Sequence, residues 1–172
     1  MASEKLTKSD VEKIQKEIDE RKTILRPKIL EDVKTARAQG DLSENFEYYA
    51  ARKANRENNS RIDYLEKMLR NAEIIDDSNN GGVSLNNTVK VKFVEVDVDE
   101  SEWEIDSYKI VTSIRADSMK NKVSIESPLG KALLSRMVDE IVKVELDNGT
   151  SYELKILEID TTTDDDDDIK AF

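Results

Sequence analysis

The chain has 172 residues, contains no histidine and no cysteine, and carries 27 basic against 38 acidic side chains, which gives a net charge of −11 at pH 7. Without histidine or cysteine, disulfides, thiolate or imidazole metal sites and histidine-activated nucleophiles are excluded. No apolar run approaches the roughly 18–20 residues that cross a bilayer, and the N-terminus lacks the apolar core of a secretion signal, so we expect a cytoplasmic protein with no membrane partner.

Positive and negative charges are distributed unevenly along the chain. Residues 1–75 carry 16 basic and 15 acidic side chains, whereas residues 76–172 carry 11 basic and 23 acidic ones. Such an asymmetry indicates two parts with different functions.

The first part, residues 1–75, predicts two long helices, one from near Lys8 to residue 38 and one over about residues 43–75. In each run apolar side chains recur at steps of three and four, which defines one narrow apolar seam typical of a coiled coil. The short stretch Gln39–Leu42 between them leaves room only for a chain reversal. The result is an antiparallel hairpin roughly 45 Å long, with an acidic tip at residues 40–45.

Polar and imino residues interrupt this regular pattern. Pro27 has no backbone N–H, so it is expected to kink the first helix or to break its hydrogen-bond ladder locally. Leu25 lies on the predicted seam just before it. Asn55 and Asn58 lie in the seam of the second helix, where buried amides weaken packing but fix the register between partner helices.

The second part of the chain begins with turn-forming residues over 76–87, which predict a linker between two domains. Beyond it, apolar and polar residues alternate at period two and predict five strands. These strands cover residues 88–98, 105–114, 122–125, 141–146 and 151–159. Ser127 and Pro128 are expected to start one short helix as N-cap and first helical residue.

Together these elements predict an α+β protein, in which the helical hairpin precedes a small antiparallel β-sheet domain with one helix over residues 88–160. Residues 161–172, which we call the acidic tail, contain five consecutive aspartates. Because this segment cannot bury enough apolar surface to order itself, we expect it to be disordered.

Two carboxylates stand at the predicted tip. Asp41 and Glu44 are three residues apart at a helix start, so their side chains can converge on one face. Two carboxylates are too few for a closed metal cage, but they suit Mg²⁺, which keeps several waters and takes further oxygens from a partner. The alternative is structural: Asp41 is a suitable N-cap with Glu44 at N3, a pattern that helix capping alone produces.

Cationic side chains surround the tip in the distal half of the hairpin, and we call them the basic collar. They are Arg21, Lys22, Arg26, Lys28, Lys34, Arg37, Arg52, Lys53, Arg56 and Arg61. In an acidic protein such a collar would hold a phosphate backbone. Alternating charges that merely solvate a long helix explain it equally well.

The stretch Ala36–Arg52, with Gly40-Asp41-Leu42-Ser43-Glu44-Asn45 at its centre, resembles the tip motif of the GreA/GreB family of transcript cleavage factors, and its GreA branch more closely. Similar segments lie at Arg26-Pro27, Arg61-Ile62, Asn71–Ile75 and Ser127–Leu133, so the resemblance spans about residues 5–159. The chain departs from the family pattern at Phe46, where a small residue is usual, and at Ser135 and Val138, where glycines are expected.

The resemblance implies a coiled-coil hairpin followed by an FKBP-like domain, in a factor that binds RNA polymerase and rescues backtracked complexes. The second domain would dock at the rim of the secondary channel through Ser127, Pro128 and Leu129, and the hairpin would enter the channel. The protein would act as an accessory factor and not as a free-standing enzyme, and we expect it to be a monomer.

The resemblance also implies roles for the residues of the tip. Asp41 and Glu44 would help to hold a Mg²⁺ ion shared with the polymerase and to orient a hydrolytic water, with no cofactor of the protein's own. Asn45 is the candidate for positioning that water or a phosphate. Arg37, Arg52 and Arg56 would hold the extruded 3′ end of the nascent RNA.

Two other functions remain open from the sequence. A channel-binding inhibitor would share the hairpin and the docking domain but would block the active centre of the polymerase. Additional acidic residues at the tip would favour this alternative. A prolyl isomerase would use the second domain, but it needs an aromatic-lined pocket, and residues 76–159 contain only Phe93, Trp103, Tyr108 and Tyr152 as aromatics.

Overall fold

The structure is a computed structural model that describes residues 3–41, 44–78 and 81–171. These residues form two compact units, and the chain passes from the first to the second near residue 74. In the described ranges no helix is both long and apolar enough to cross a membrane. The predicted fold class is confirmed, because a helical hairpin is followed by a β-sheet unit with one α-helix.

The hairpin consists of α1 (Lys8–Glu20), α2 (Arg26–Ala38) and the antiparallel α3 (Phe46–Arg70). Its apolar seam is built mainly from Ile14, Ile18 and Ile29 on the first side and Ile62, Leu65 and Met68 on the second, all buried. The start of α1 agrees with the prediction. The third helix is shorter than predicted at both ends, since the chain leaves it at Asn71 and forms β2 (Ala72–Ile74), which pairs with β1 (Glu4–Leu6).

A π-helical turn over Arg21–Leu25 joins α1 to α2. Within it the Arg26 N–H donates to the Arg21 carbonyl, five residues back, so the ladder changes its spacing just before Pro27. This wider turn lets the helix pass a residue that has no N–H to donate, which confirms the predicted local break. The extra residue rotates Leu25 away from the seam, and its side chain is exposed instead of buried.

A polar network lies in the seam between α1 and α3. The Glu17 carboxylate accepts two hydrogen bonds from Arg61, at 2.8 and 2.9 Å, and one from Arg21 at 2.7 Å. Arg21 also donates to Asn58 Oδ1 at 3.1 Å, and the buried Asn58 amide donates back to the Arg21 carbonyl. Burial alone would raise the pKa of Glu17, but the hydrogen bonds and charges of Arg61 and Arg21 outweigh it, so this pKa lies below its ordinary value.

The second unit is built on a five-stranded sheet of β3 (Thr88–Phe93), β4 (Ile105–Val111), β5 (Lys122–Ser124), β6 (Ile141–Glu145) and β7 (Ser151–Asp160). The strand order is β5-β4-β3-β7-β6, and α4 (Pro128–Leu133) inserts Leu133 into the core. Every pair is antiparallel except β4 with β5, which is parallel. The wholly antiparallel prediction is therefore wrong at this edge, because the chain between these strands crosses over through two 3₁₀ turns instead of reversing in a hairpin.

The predicted linker over 76–87 is wrong for its second half. Val83 and Leu85 are buried in the core of the second unit, and Val83 exchanges backbone hydrogen bonds with Ser135 and Arg136. Gly82 is required beside them, since an added Cβ would lie 2.8 Å from the Ser135 carbonyl oxygen. Turn-forming residues here signal close packing and not a flexible connection.

The prediction of a disordered tail is also wrong for the described residues 161–171. Asp167 is paired with Lys109 and Lys122, and the backbone N–H of Lys170 donates to the Ile114 carbonyl at 2.7 Å. The tail is held by opposite charges on the second unit and not by apolar burial, which was the only kind of stabilisation that its composition could indicate.

We expect Glu17→Gln to lower the free energy of unfolding of the hairpin by roughly 2–3 kcal/mol at pH 7, because it leaves two largely buried guanidinium groups without their carboxylate. Since the folded-state pKa of Glu17 is depressed, the difference from the parent should shrink as pH falls below about 4.5. Urea unfolding followed by far-UV circular dichroism measures both effects.

Glu66→Gln is the matched control for that experiment. Glu66 also pairs across the hairpin, with Lys22, but both side chains are a third or more exposed, so its loss should cost less than about 1 kcal/mol. Equal losses for the two variants would contradict a larger contribution from the buried Glu17 network than from the exposed ion pair of Glu66 and Lys22.

Candidate functional site

The tip of the hairpin is a short loop between α2 and α3. The Gln39 N–H closes α2 on the Ala36 carbonyl, and Gly40 then adopts a φ of +112°, which reverses the chain in a conformation that other residues rarely adopt. Asp41 and Glu44 follow, both exposed and both outside the helices. Leu42 and Ser43, which belong to the same motif, lie outside the described residues.

Asn45 connects the two helices at the tip. Its Oδ1 accepts from the Tyr48 N–H at 3.0 Å, which makes it the N-cap of α3, and its Nδ2 donates to the Ala36 carbonyl at 2.7 Å. The capping alternative for Asp41 and Glu44 is therefore wrong, because the helix starts after both residues. Each end of the Asn45 amide makes a hydrogen bond within the protein, so Asn45 holds the loop, and its predicted role toward a water or phosphate stays a prediction.

Tyr48 is buried beneath the tip between two arginines. The guanidinium carbons of Arg37 and Arg52 lie 5.8 and 5.7 Å from the centre of its ring, one from each side of the hairpin. A hydrogen bond from Arg37, helped by the charge of Arg52, holds the pKa of the Tyr48 hydroxyl below its ordinary value. The ring thus contacts two cations, one on each of the two helices that meet at the tip.

Eight of the ten cations of the basic collar fall into two groups in the structure, and Lys28 and Lys34 belong to neither. Arg21 and Arg61 bind Glu17, Lys22 binds Glu66, Arg26 donates to Asn59, and Lys53 pairs with Glu57. Those five cations are therefore engaged in the hairpin itself. Arg37 and Arg52 flank Tyr48, and the exposed Arg56 lies one turn along α3 from Arg52. The predicted RNA-binding residues belong to this second group.

The predicted docking residues form the start of α4. Ser127 is its N-cap as predicted: its Oγ accepts from the Gly130 N–H at 3.0 Å and donates to the Ser124 carbonyl at 2.7 Å. Pro128 is the first helical residue, and Leu129 packs partly against the core. Gly130 lies so close to the Ser124 backbone that no side chain fits there. The loop is thereby held in one conformation with Ser127, Pro128 and Leu129 half-buried.

A cavity of about 320 Å³ in the second unit bears on the isomerase alternative. Its walls come from apolar and small side chains such as Val83, Leu85 and Met137, and none of its described lining residues is aromatic. Phe93 and Tyr152 instead pack on each other, with ring centres 5.9 Å apart, against the core of the sheet. The aromatic-lined pocket that an isomerase needs is not formed by these residues.

The acidic side chains of the tip could hold a metal ion only in part. Among the residues that the structure describes, no group of three or more histidine, cysteine, aspartate or glutamate side chains is arranged to hold a metal ion. The exposed carboxylates of Asp41 and Glu44 offer hard oxygen donors, which fit Mg²⁺ in kind but not in number. A metal at the tip needs ligands from a partner.

Comparison with known proteins gives sequence matches along both units. Residues 4–74 match the profile of the N-terminal domain of the GreA/GreB transcription elongation factors, and residues 78–161 match that of their C-terminal domain. The chain is 43% identical over 155 residues to transcription elongation factor GreA of Staphylococcus epidermidis, covering 90% of this chain and 94% of the relative. It is 42% identical over 158 residues to that of Staphylococcus aureus, with the same coverage. These relatives belong to the GreA branch that the tip motif predicted.

Solved structures also align with the chain. GreA factor homolog 1 of Thermus thermophilus is 23% identical, with a TM-score of 0.42 over 91% of this chain and 98% of that chain. A GreA/GreB elongation factor from Nitrosomonas europaea is 27% identical, with a TM-score of 0.38 over 58% of this chain and 78% of that chain.

We expect Asn45→Ala to lower the free energy of unfolding by about 1–2 kcal/mol, since it removes the cap of α3 and the bond to α2 together. Asp41→Asn should cost less than Asn45→Ala, because Asp41 is exposed and lies outside the helix that Asn45 caps. Urea unfolding monitored by helical circular dichroism gives both values. The reverse order of the two variants would show that Asp41, and not Asn45, caps the helix.

Proposed function

Because the chain belongs to the GreA/GreB family of transcription elongation factors, we propose that it binds RNA polymerase as an accessory factor and stimulates hydrolytic cleavage of backtracked RNA 3′ ends in the polymerase active site. The observation that supports this most directly is the construction of the tip. Two exposed carboxylates lie in a loop that Asn45 fixes to both helices, and neither carboxylate is the helix cap. A partner can therefore reach both of them.

In the proposed mechanism Asp41 and Glu44 act within the polymerase and not alone. Their oxygens would hold a Mg²⁺ ion whose remaining ligands belong to the polymerase and the RNA, and when bound the ion lowers the pKa of a water and neutralises charge on the cleaved phosphate. The same carboxylates accept hydrogen bonds from the attacking water and so orient it. Asn45 contributes as a positioning residue, because it fixes the loop that carries both carboxylates.

Arg37, Arg52 and Arg56 would hold the displaced RNA next to the carboxylates. Arg37 and Arg52 are pre-positioned by the Tyr48 ring, which lowers the entropy that would otherwise be lost when they bind phosphates. Arginine also suits this task because its planar fork binds phosphate oxygens in pairs. The cations of the collar that are already paired within the hairpin are left out of this role.

Docking is assigned to Ser127, Pro128 and Leu129 on the second unit. A loop locked by the Ser127 cap and by the close packing of Gly130 loses little conformational freedom on binding. A second contact of this kind raises the effective concentration of the tip at the polymerase active site. The carboxylates can then act on RNA even though they bind metal weakly.

The first functional prediction concerns the tip carboxylates. Asp41→Asn and Glu44→Gln should each reduce stimulated cleavage in a stalled elongation complex at least about 100-fold, because each removes a charged oxygen ligand. Competition binding to polymerase should be unchanged. Glu47→Gln, which removes another exposed carboxylate in the first turn of α3, is the matched control and should cleave normally. Full cleavage by Asp41→Asn would rule out its part in metal binding.

The second functional prediction concerns the arginines. Replacing Arg37, Arg52 and Arg56 together with alanine should weaken crosslinking to the extruded RNA and flatten the salt dependence of cleavage, because the slope falls by about 0.7 for each phosphate that the variant no longer binds. Helix content, measured by circular dichroism, should be retained. Lys53→Ala is the control, since Lys53 is exposed on the same helix but pairs with Glu57. An unchanged dependence of cleavage on salt would mean that these arginines bind no RNA phosphates and only solvate the helix surface.

A further inference from the structure

The described residues of the acidic tail, 161–171, lie on the second unit. After β7, burial alternates along it: Thr163, Asp165, Asp167 and Ile169 are half-buried, whereas the residues between them are exposed. An alternation at period two is what an extended strand shows when one side faces a surface. The Lys170 N–H, bonded to the Ile114 carbonyl, fixes the far end of this segment.

Three cations converge on one carboxylate of the tail. The Asp167 oxygens lie 2.5 Å from Lys122 Nζ, 2.8 Å from Lys109 Nζ and 3.5 Å from Arg115 Nη1. Both lysine side chains are less than a fifth exposed, and that of Arg115 is wholly buried. We call Lys109, Arg115 and Lys122 the cationic pocket.

The cationic pocket is assembled by the fold of the second unit and not by the tail. Lys109 and Lys122 are register partners on the adjacent strands β4 and β5. The Arg115 guanidinium is held by Asn86 Oδ1 at 2.7 Å and by Thr112 Oγ1 at 3.2 Å, both from buried residues. The strand positions of the two lysines and the Arg115 guanidinium are therefore fixed by contacts that do not involve the tail.

Such a pocket has to be filled by an anion. Like charges opposite each other on neighbouring strands are destabilising, and a buried guanidinium is costly without a negative partner. Asp167 meets this need from a segment that belongs to no helix or strand and exposes alternate residues to solvent. Its carboxylate is an exchangeable occupant, because releasing it disrupts no helix or strand of the unit.

We propose that Lys109, Arg115 and Lys122 form a binding site for a small phosphate compound, and that the acidic tail occupies this site as an internal competitor. A phosphate group has more acceptor oxygens than a carboxylate and carries up to two negative charges, so it can engage three cations at once. Residues 76–172 carry 11 basic and 23 acidic side chains, so a nucleic-acid strand brings many phosphates against this negative surface, whereas a small phosphate compound brings only a few charges.

Competition sets the size of the expected effect. If the tail is docked about nine-tenths of the time, the pocket is open in one-tenth of the molecules and the apparent affinity for phosphate falls about tenfold. Removing the charge of Asp167 should restore the intrinsic affinity. Removing the charge of the exposed neighbour Asp166 should leave the affinity for phosphate unchanged.

The test titrates inorganic phosphate into the full chain at constant ionic strength and follows the backbone amides of Lys109, Ile114 and Lys122 by NMR. Asp167→Asn should bind phosphate about tenfold more tightly than the parent, whereas Asp166→Asn, the same change at an exposed position, should match the parent. In the parent, phosphate should also move the amide signals of residues 161–171 toward those of Asp167→Asn, which reports release of the tail.

Adding Lys122→Gln to Asp167→Asn should weaken phosphate binding at least tenfold and so locate the site. The proposal is overturned if phosphate leaves the pocket amides of Asp167→Asn unchanged, since the tail contact is then a structural strap. It is also overturned if Asp166→Asn and Asp167→Asn bind equally. An RNA oligonucleotide without terminal phosphates should not shift these amides, and binding of that RNA in place of inorganic phosphate would equally refute the small-ligand assignment.

Discussion

The contact between Glu17 and Arg61 determines how the hairpin is assembled. These residues are 44 positions apart, and their two hydrogen bonds fix which turn of α1 lies opposite which turn of α3. An apolar seam tolerates sliding by one turn far better than a directional pair of hydrogen bonds does, since a shifted register would leave a buried guanidinium unbound. Every contact nearer the tip, including the bond from Asn45 to Ala36, depends on that register.

At the tip, the residue that caps the helix is separate from the two exposed carboxylates. Asn45 supplies the cap and the bridge between helices, and Tyr48 keeps two arginines in place. This division relieves Asp41 and Glu44 of capping, because the helix does not need their lone pairs. A site that borrows its remaining ligands from a partner benefits from such a rigid base, since positional errors of about 1 Å are costly in catalysis.

Much of this architecture could be predicted from the sequence, because periodicity and caps are local signals. The start of α1, the Ser127 cap, the sheet strands and the placement of Asn58 in the seam follow from such signals. The exposure of Leu25 could not be predicted, since a π turn shifts the helical phase only once the chain has accommodated Pro27. The ordered structure of the acidic tail could not be predicted either. Lys109, Arg115 and Lys122 are brought together only by strand pairing and a turn, and no spacing in the sequence indicates them.

The π turn also separates two parts of the hairpin that are packed differently. On one side of it, α1 is joined to α3 by the Glu17 network and by closely packed isoleucine and leucine side chains. On the other side, α2 is joined mainly through Ile29, Ala36 and the tip contacts, with fewer large apolar groups buried. The α1 side of the hairpin is therefore held by large buried side chains and a polar network, whereas α2 lies closer to α3 along its length. Substitutions that enlarge a side chain should be tolerated less well between α2 and α3, where the two helices approach each other most closely.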